Sequence, residues 1–188
     1  MLGGAIAAIA LSLLGGDHAA GVVPTPIGVG VRYRLAAAPA PVRAGRAYAG
    51  MRCSAARTGW AAAHVEVFAN RRVLLVPAGI GMAAPLRRDG AYIVAARCSY
   101  PLRTVAPTGV VQVARGARAT VGDLFAVWGQ RLTADRVARF RGRVRAFVGG
   151  RRWRHAVQMI PLRRHAEIVL EVGGYVPPHH FFLFGASG

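Results

Sequence analysis

From residue 60 onward the apolar residues come in short runs that alternate or stop at a turn, and one run alone keeps a helical period. That pattern restricts the fold to strands with little helix. His64-Val65-Glu66-Val67-Phe68 alternates, and Val73-Leu74-Leu75-Val76 follows across Ala69-Asn70-Arg71-Arg72. Two such runs predict a hairpin, with Asn70 in the left-handed conformation that asparagine tolerates. Pro77 and the Gly79/Gly81 pair end it. Residues 91–95, 109–113, 144–148 and 167–172 predict further strands, with Gly149-Gly150 as a turn before Trp153. VEVFANRRV at 65–73 echoes VRAFVGGRRW at 144–153, as two hairpins with similar turns would.

The helical run is at 120–128. Thr120 is placed to cap it, and Asp123 three residues on makes a weaker capping box. Val121, Leu124, Phe125 and Trp128 fall at i, i+3, i+4 and i+7, and Gly129 is placed to end the helix. The expected fold is α+β and mostly β, with antiparallel sheets and this one short helix. A strand, a helix and a closing strand pair after residue 108 suggest a β-grasp-like second half.

Three regions follow. Residues 1–20 hold the apolar core AIAAIALSLL, which suits a signal peptide or membrane anchor and is too short for an ordinary span. The basic n-region is missing, since the first arginine is Arg32; a buried apolar helix is the alternative. Residues 21–50 form a tether rich in Pro, Gly and Ala, and residues 51–184 form a single globular domain. Cys53 and Cys98 are the only cysteines. In an oxidising compartment they would form one disulfide; two buried thiols are the alternative.

The net charge is +18, carried by 25 arginines with no lysine. Ala, Gly, Arg and Pro make up half of the 188 residues, so part of that charge reflects GC-rich coding. The local feature is Arg139-Phe140-Arg141-Gly142-Arg143-Val144-Arg145, in which four arginines alternate. In one extended strand they would share a face, about 6.7 Å apart. With Arg151, Arg152 and Arg154 they make a candidate anion-binding surface; a solvated sheet face is the alternative.

Motifs of catalysis fail on their context. Gly79-Ile80-Gly81-Met82-Ala83-Ala84 fits a dinucleotide fingerprint, but Pro85 blocks the helix that must follow. His64-Val65-Glu66 fits a zinc-deaminase HxE, but the partner cysteine pair is missing. His155, His165, His179 and His180 lack metal-ligand spacing, and His179-His180 after Pro177-Pro178 predicts a solvated tail. Seven acids and four serines leave few ways to build a hydrolytic site. The expectation is therefore no catalytic residue, no metal site, no cofactor and no enzyme.

Four blocks, HVEVFANRRVLLVPAGIGM, CSYPLRTVAPTGVVQV, ATVGDLFAVWG and IPLRRHAEIVLEVGG, resemble a family of uncharacterised exported or membrane-tethered actinobacterial proteins. The likeness covers roughly residues 53–180. It implies an extracytoplasmic domain behind an N-terminal anchor, and it supports the disulfide. Relatives carry extra histidines that imply metal binding. This chain departs there: Ala61-Ala62-Ala63 precedes His64, Leu102-Arg103-Thr104-Val105-Ala106 fills the second block, and Gln112 takes a later histidine's place.

The leading expectation is an envelope-associated binding module. Its arginine surface would meet an anionic envelope component or another protein, and its N-terminal segment would meet the membrane. A family metal-binding protein with a degenerate site is the second reading, and nucleic-acid binding the third. DNA binding would fall steeply between about 50 and 200 mM salt.

Overall fold

The computed structural model describes residues 34–35, 50–56 and 59–185. The expected signal segment and most of the expected tether lie outside the described residues. The elements run β1 (Arg34–Leu35), β2 (Trp60–Ala69), β3 (Arg72–Leu75), β4 (Met82–Asp89), β5 (Tyr92–Ser99), β6 (Leu102–Arg103), β7 (Val110–Ala114) and α1 (Val121–Trp128). Then come β8 (Leu132–Thr133), β9 (Arg136–Val137), β10 (Phe140–Arg141), β11 (Val144–Val148), β12 (Arg151–Arg152), a 3-10 turn at Val157–Met159, and β13 (Glu167–Val172). The domain is α+β and mostly β, and most strand pairs are antiparallel, as the short apolar runs require.

The main sheet has the order β1-β3-β2-β13-β11-β12, with β7 also beside β2 and β6 beside β7. β2 and β3 form the expected hairpin, and both turn residues, Asn70 and Arg71, have positive φ. β13 lies parallel to β2, with His64 opposite Glu167 and Ala69 opposite Val172, and antiparallel to β11. A hairpin, a helix and a last strand parallel to the first is a β-grasp order. It spans the whole domain and is not confined to the second half, because β2 and β3 supply half of the sheet's centre. β1, inside the expected tether, pairs in parallel with β3.

Helix α1 covers one face of this sheet. Thr120 accepts from the Asp123 N–H at 3.2 Å, and the Asp123 carboxylate accepts from the Thr120 N–H at 2.8 Å, completing the capping box. Gly129 closes the helix in the left-handed conformation. Val121, Leu124, Phe125 and Trp128 are fully buried, each stabilising the fold by about 1.5–3 kcal/mol. They share a core with Ala63, Val65 and Val67 of β2 and Ile168, Leu170 and Val172 of β13. At Gly122 a Cβ would stand 2.9 Å from the Gln158 carbonyl oxygen, so the helix lies directly on the 3-10 turn.

Two local expectations change. Arg139–Arg145 is not one strand. β10 ends at Arg141 and pairs with β9, Gly142 turns the chain at φ +136°, and β11 begins at Val144. The four arginines therefore do not share one face. Residues 82–84, the end of the Gly79–Ala84 motif, open strand β4, which no apolar run marks, with Pro85 at a register shift between Ala83 and Leu86. A missing N–H is tolerated at such an irregularity in a two-stranded hairpin. No helix follows Gly79 and Gly81, which removes the dinucleotide fingerprint.

Candidate functional site

The opposite face of the sheet is unusual. Strand alternation puts His64, Glu66 and Phe68 of β2 on it, with Glu167, Val169 and Glu171 of β13 and Arg145 and Phe147 of β11. Charged groups on a sheet face normally stand in water. Here His64, Glu66, Glu167 and Glu171 are all buried.

The cover is the C-terminal segment, residues 174–184. The Val176 N–H donates to Glu171 Oε1 at 3.0 Å. His179 Nδ1 meets Glu66 Oε2 at 2.7 Å. The Phe182 ring stacks on His64 with centroids 3.8 Å apart, and Tyr175 packs edge-on against Phe147. The expected solvated His179-His180 tail is corrected for His179, which is half-buried; His180 is exposed, with its ring against Gly150. Apolar Val176 and Phe182 dock this segment, a signal that the prolines before the histidines obscure.

His64 is held at three points. Its Nε2 lies 2.9 Å from the Thr108 carbonyl oxygen, its Nδ1 lies 2.7 Å from Glu167 Oε2, and Phe182 covers the ring. A carbonyl can only accept, so Nε2 carries a proton. The Nδ1–Oε2 contact therefore shares one further proton between imidazole and carboxylate. Gly109, at φ +81°, permits this: a Cβ there would stand 2.9 Å from Nε2 and 2.7 Å from the Val65 oxygen. Burial pushes the Glu167 carboxyl above the usual range, opposed by the hydrogen bond from His64. Glu167 Oε1 is buried with no hydrogen-bond partner.

His64, Glu66 and Glu167 each present a donor atom, and these atoms lie within 4.8 Å of one another. Glu167 stands 103 positions from His64, so no spacing along the chain reveals the group. His64 and Glu66 do lie on one strand face, as the HxE alternation predicts. Cys98 is not a ligand, because it forms a disulfide with Cys53, Cα to Cα 5.5 Å.

The arginines expected to bind anions separate into two groups. Arg143 and Arg145 converge with Arg152, Arg154 and His155 around a cleft of about 700 Å³. Arg139, Arg141 and Arg151 do not line it. Arg145 Nε stands 3.3 Å from Glu171 Oε2, an ion pair without hydrogen-bond alignment, and its guanidinium lies 5.7 Å from the Tyr175 ring centroid. Burial raises the Glu171 carboxyl above its usual range, against the pull of the Val176 N–H and Arg145. A second cleft of about 860 Å³ takes Arg115, Arg118, Arg163 and Arg164 beside Trp60. Arg115 and Arg118 escape a search for clustered charge because the fold, and not the chain, brings them to Arg163.

Arg103 Nε donates to Gln112 Oε1 at 2.8 Å. The Arg103 guanidinium lies 3.9 Å from the Trp60 ring centroid, and burial lowers its pKa. Among the described residues no helix is long and apolar enough to cross a membrane. The chain matches no family profile, no curated protein and no solved structure.

Proposed function

We propose that this protein is an extracytoplasmic, envelope-associated module that binds an anionic partner in the cleft of Arg143, Arg145, Arg152 and Arg154. The observation that carries the reading is their convergence onto one concave surface from strands β11 and β12 and from the residues just before β11 and just after β12. Arg145 is oriented from below by Glu171 and from the side by Tyr175, which lowers the cost of ordering it around a ligand. The disulfide supports an oxidising compartment, and there the available polyanions are envelope polymers and lipid headgroups. The likeness to exported actinobacterial proteins belongs to the same proposal, as does attachment through the N-terminal segment.

The test compares two variants of equal charge. Arg143→Gln/Arg152→Gln/Arg154→Gln empties the cleft but leaves Arg145 on its buried partner. Arg87→Gln/Arg88→Gln/Arg97→Gln removes three exposed charges from the separate β4–β5 hairpin. Binding is measured to vesicles containing anionic phospholipid, to inorganic polyphosphate and to duplex DNA. At about 1 kcal/mol per arginine near an anionic surface, the cleft variant loses roughly a hundredfold on vesicles or polyphosphate, and the hairpin variant far less. Equal losses in both variants, or preference for DNA over both other probes, would refute the cleft.

A further inference from the structure

We propose that His64, Glu66 and Glu167 form a binding site for one divalent transition ion, zinc by its chemistry, sealed beneath the C-terminal segment. The site is separate from the arginine cleft and does not depend on it. Three observations carry it. The donor atoms of the three side chains lie within 4.8 Å of one another. Glu167 is 2% exposed and its Oε1 has no hydrogen-bond partner, a state that a buried carboxylate otherwise avoids. His64 is already arranged as metal-bound histidines are: one ring nitrogen donates to a backbone carbonyl, which fixes the ring and leaves the other for the ion.

The ion takes the place of a proton. Nδ1 of His64 and Oε2 of Glu167 share one at 2.7 Å. Two ligands held 2.0–2.2 Å from a tetrahedral zinc stand about 3.3–3.6 Å apart. The pair therefore opens by less than about 1 Å, while Glu66 closes from its present separation. The Nδ1–metal and carboxylate–metal bonds form, and the shared proton leaves to solvent. His179, bonded to Glu66 Oε2 at 2.7 Å, positions that carboxylate from the covering segment.

The donor set selects the ion. One imidazole and two carboxylates, with both cysteines tied up in the disulfide, suit zinc or cobalt. Calcium takes six to eight oxygens, which this group does not offer. The ion enters when the C-terminal segment lifts; the Phe182 ring then covers His64, and the unpartnered Glu167 Oε1 or one trapped water completes the tetrahedron.

The experiment titrates the oxidised full chain, stripped with a chelator, with zinc, cobalt and calcium. Competition with a chromophoric chelator gives affinity and stoichiometry. One zinc per chain is expected, with release of protons, and cobalt is expected to give a tetrahedral visible spectrum without thiolate charge transfer. Glu167→Gln, which keeps the side chain's size, is expected to weaken zinc at least tenfold, and His64→Ala further. Circular dichroism checks that both variants fold. Histidine ring resonances of the unaltered chain supply an independent reading: zinc should shift His64 and His179. Zinc binding unchanged in Glu167→Gln, shifts confined to exposed His155 and His165, or preference for calcium would each overturn the site.

Discussion

The Cys53–Cys98 bond closes a loop of 45 positions, and its removal tests how the β4–β5 hairpin is tied to the segment before β2. Constraining a loop of that length in the unfolded chain stabilises the native state by about 4 kcal/mol in the chain-entropy model. The bond also has a local role. Cys98 lies in β5, and β4–β5 is a two-stranded sheet of its own. The segment carrying Cys53 reaches β5 through a pair of backbone hydrogen bonds between Ser54 and Ser99, 2.9 and 3.0 Å long. Ile93 of β5 adds a bond to the Val105 carbonyl at 2.7 Å. These contacts survive in Cys53→Ala/Cys98→Ala, so the hairpin stays docked but frays sooner.

Urea denaturation provides the assay. With a slope of about 2 kcal/mol per molar, a loss of 4 kcal/mol lowers the midpoint by about 2 M. A domain with total stability of about 5–15 kcal/mol remains folded in water. Hydrogen exchange separates the two roles: β5 amides should lose more protection than the β13 amides at the centre of the main sheet. A midpoint shift below about 0.5 M, equal to about 1 kcal/mol at that slope, would refute the entropic argument. Equal loss of protection in β5 and β13 would refute the local one.

Thr120→Ala removes both the acceptor for the Asp123 N–H and the hydroxyl that donates to the Asp123 carboxylate, so thermal denaturation should show a loss of about 1 kcal/mol. Glu171→Gln should flatten the fall of stability with pH. In the fold the Glu171 carboxyl is raised by burial, against the Val176 N–H, Arg145 and Arg152, so the native state holds its proton longer than the unfolded chain. Its contribution is fully present below the unfolded value near 4.5 and is lost as pH rises through the folded value. Urea midpoints in acid and at neutral pH should therefore differ less in Glu171→Gln than in the unaltered chain. An identical pH slope in the two proteins would contradict the assignment.

The parts of the fold legible in the chain are those set by neighbours. Thr120, Asp123 and Gly129 mark α1 because capping acts within four residues. Asn70 marks the β2–β3 turn because positive φ is a property of single residues. The parallel pairing of β2 with β13 is not legible, since a register between residues 64–69 and 167–172 leaves no trace in either segment alone. The candidate metal group is hidden for the same reason: His64 and Glu66 are visible together on β2, while Glu167 arrives through that pairing. β4 is not legible because Pro85 and the exposed arginines interrupt its apolar pattern, while an irregular hairpin tolerates a proline that a central strand would not. The arginine alternation misleads because Gly142, a small interruption in the pattern, turns the chain.

The buried face also changes what the net charge means. Of the six acids among the described residues, Glu66, Glu167 and Glu171 are buried under the C-terminal segment, and Asp123 is engaged in the helix cap. Asp89 and Asp135 alone among them are exposed. Among the described residues, then, the surface has lost most of its negative charge, while Arg143, Arg152 and Arg154 stand in water beside the cleft. A net charge of +18, part of it from GC-rich coding, says little about a ligand, but withdrawal of carboxylates to one sheet face strengthens the positive field elsewhere. The same arrangement gives the C-terminal segment its two tasks. It shields three carboxylates whose exposure would weaken that field, and through His179 and Phe182 it closes the pocket in which two of them, with His64, face one another.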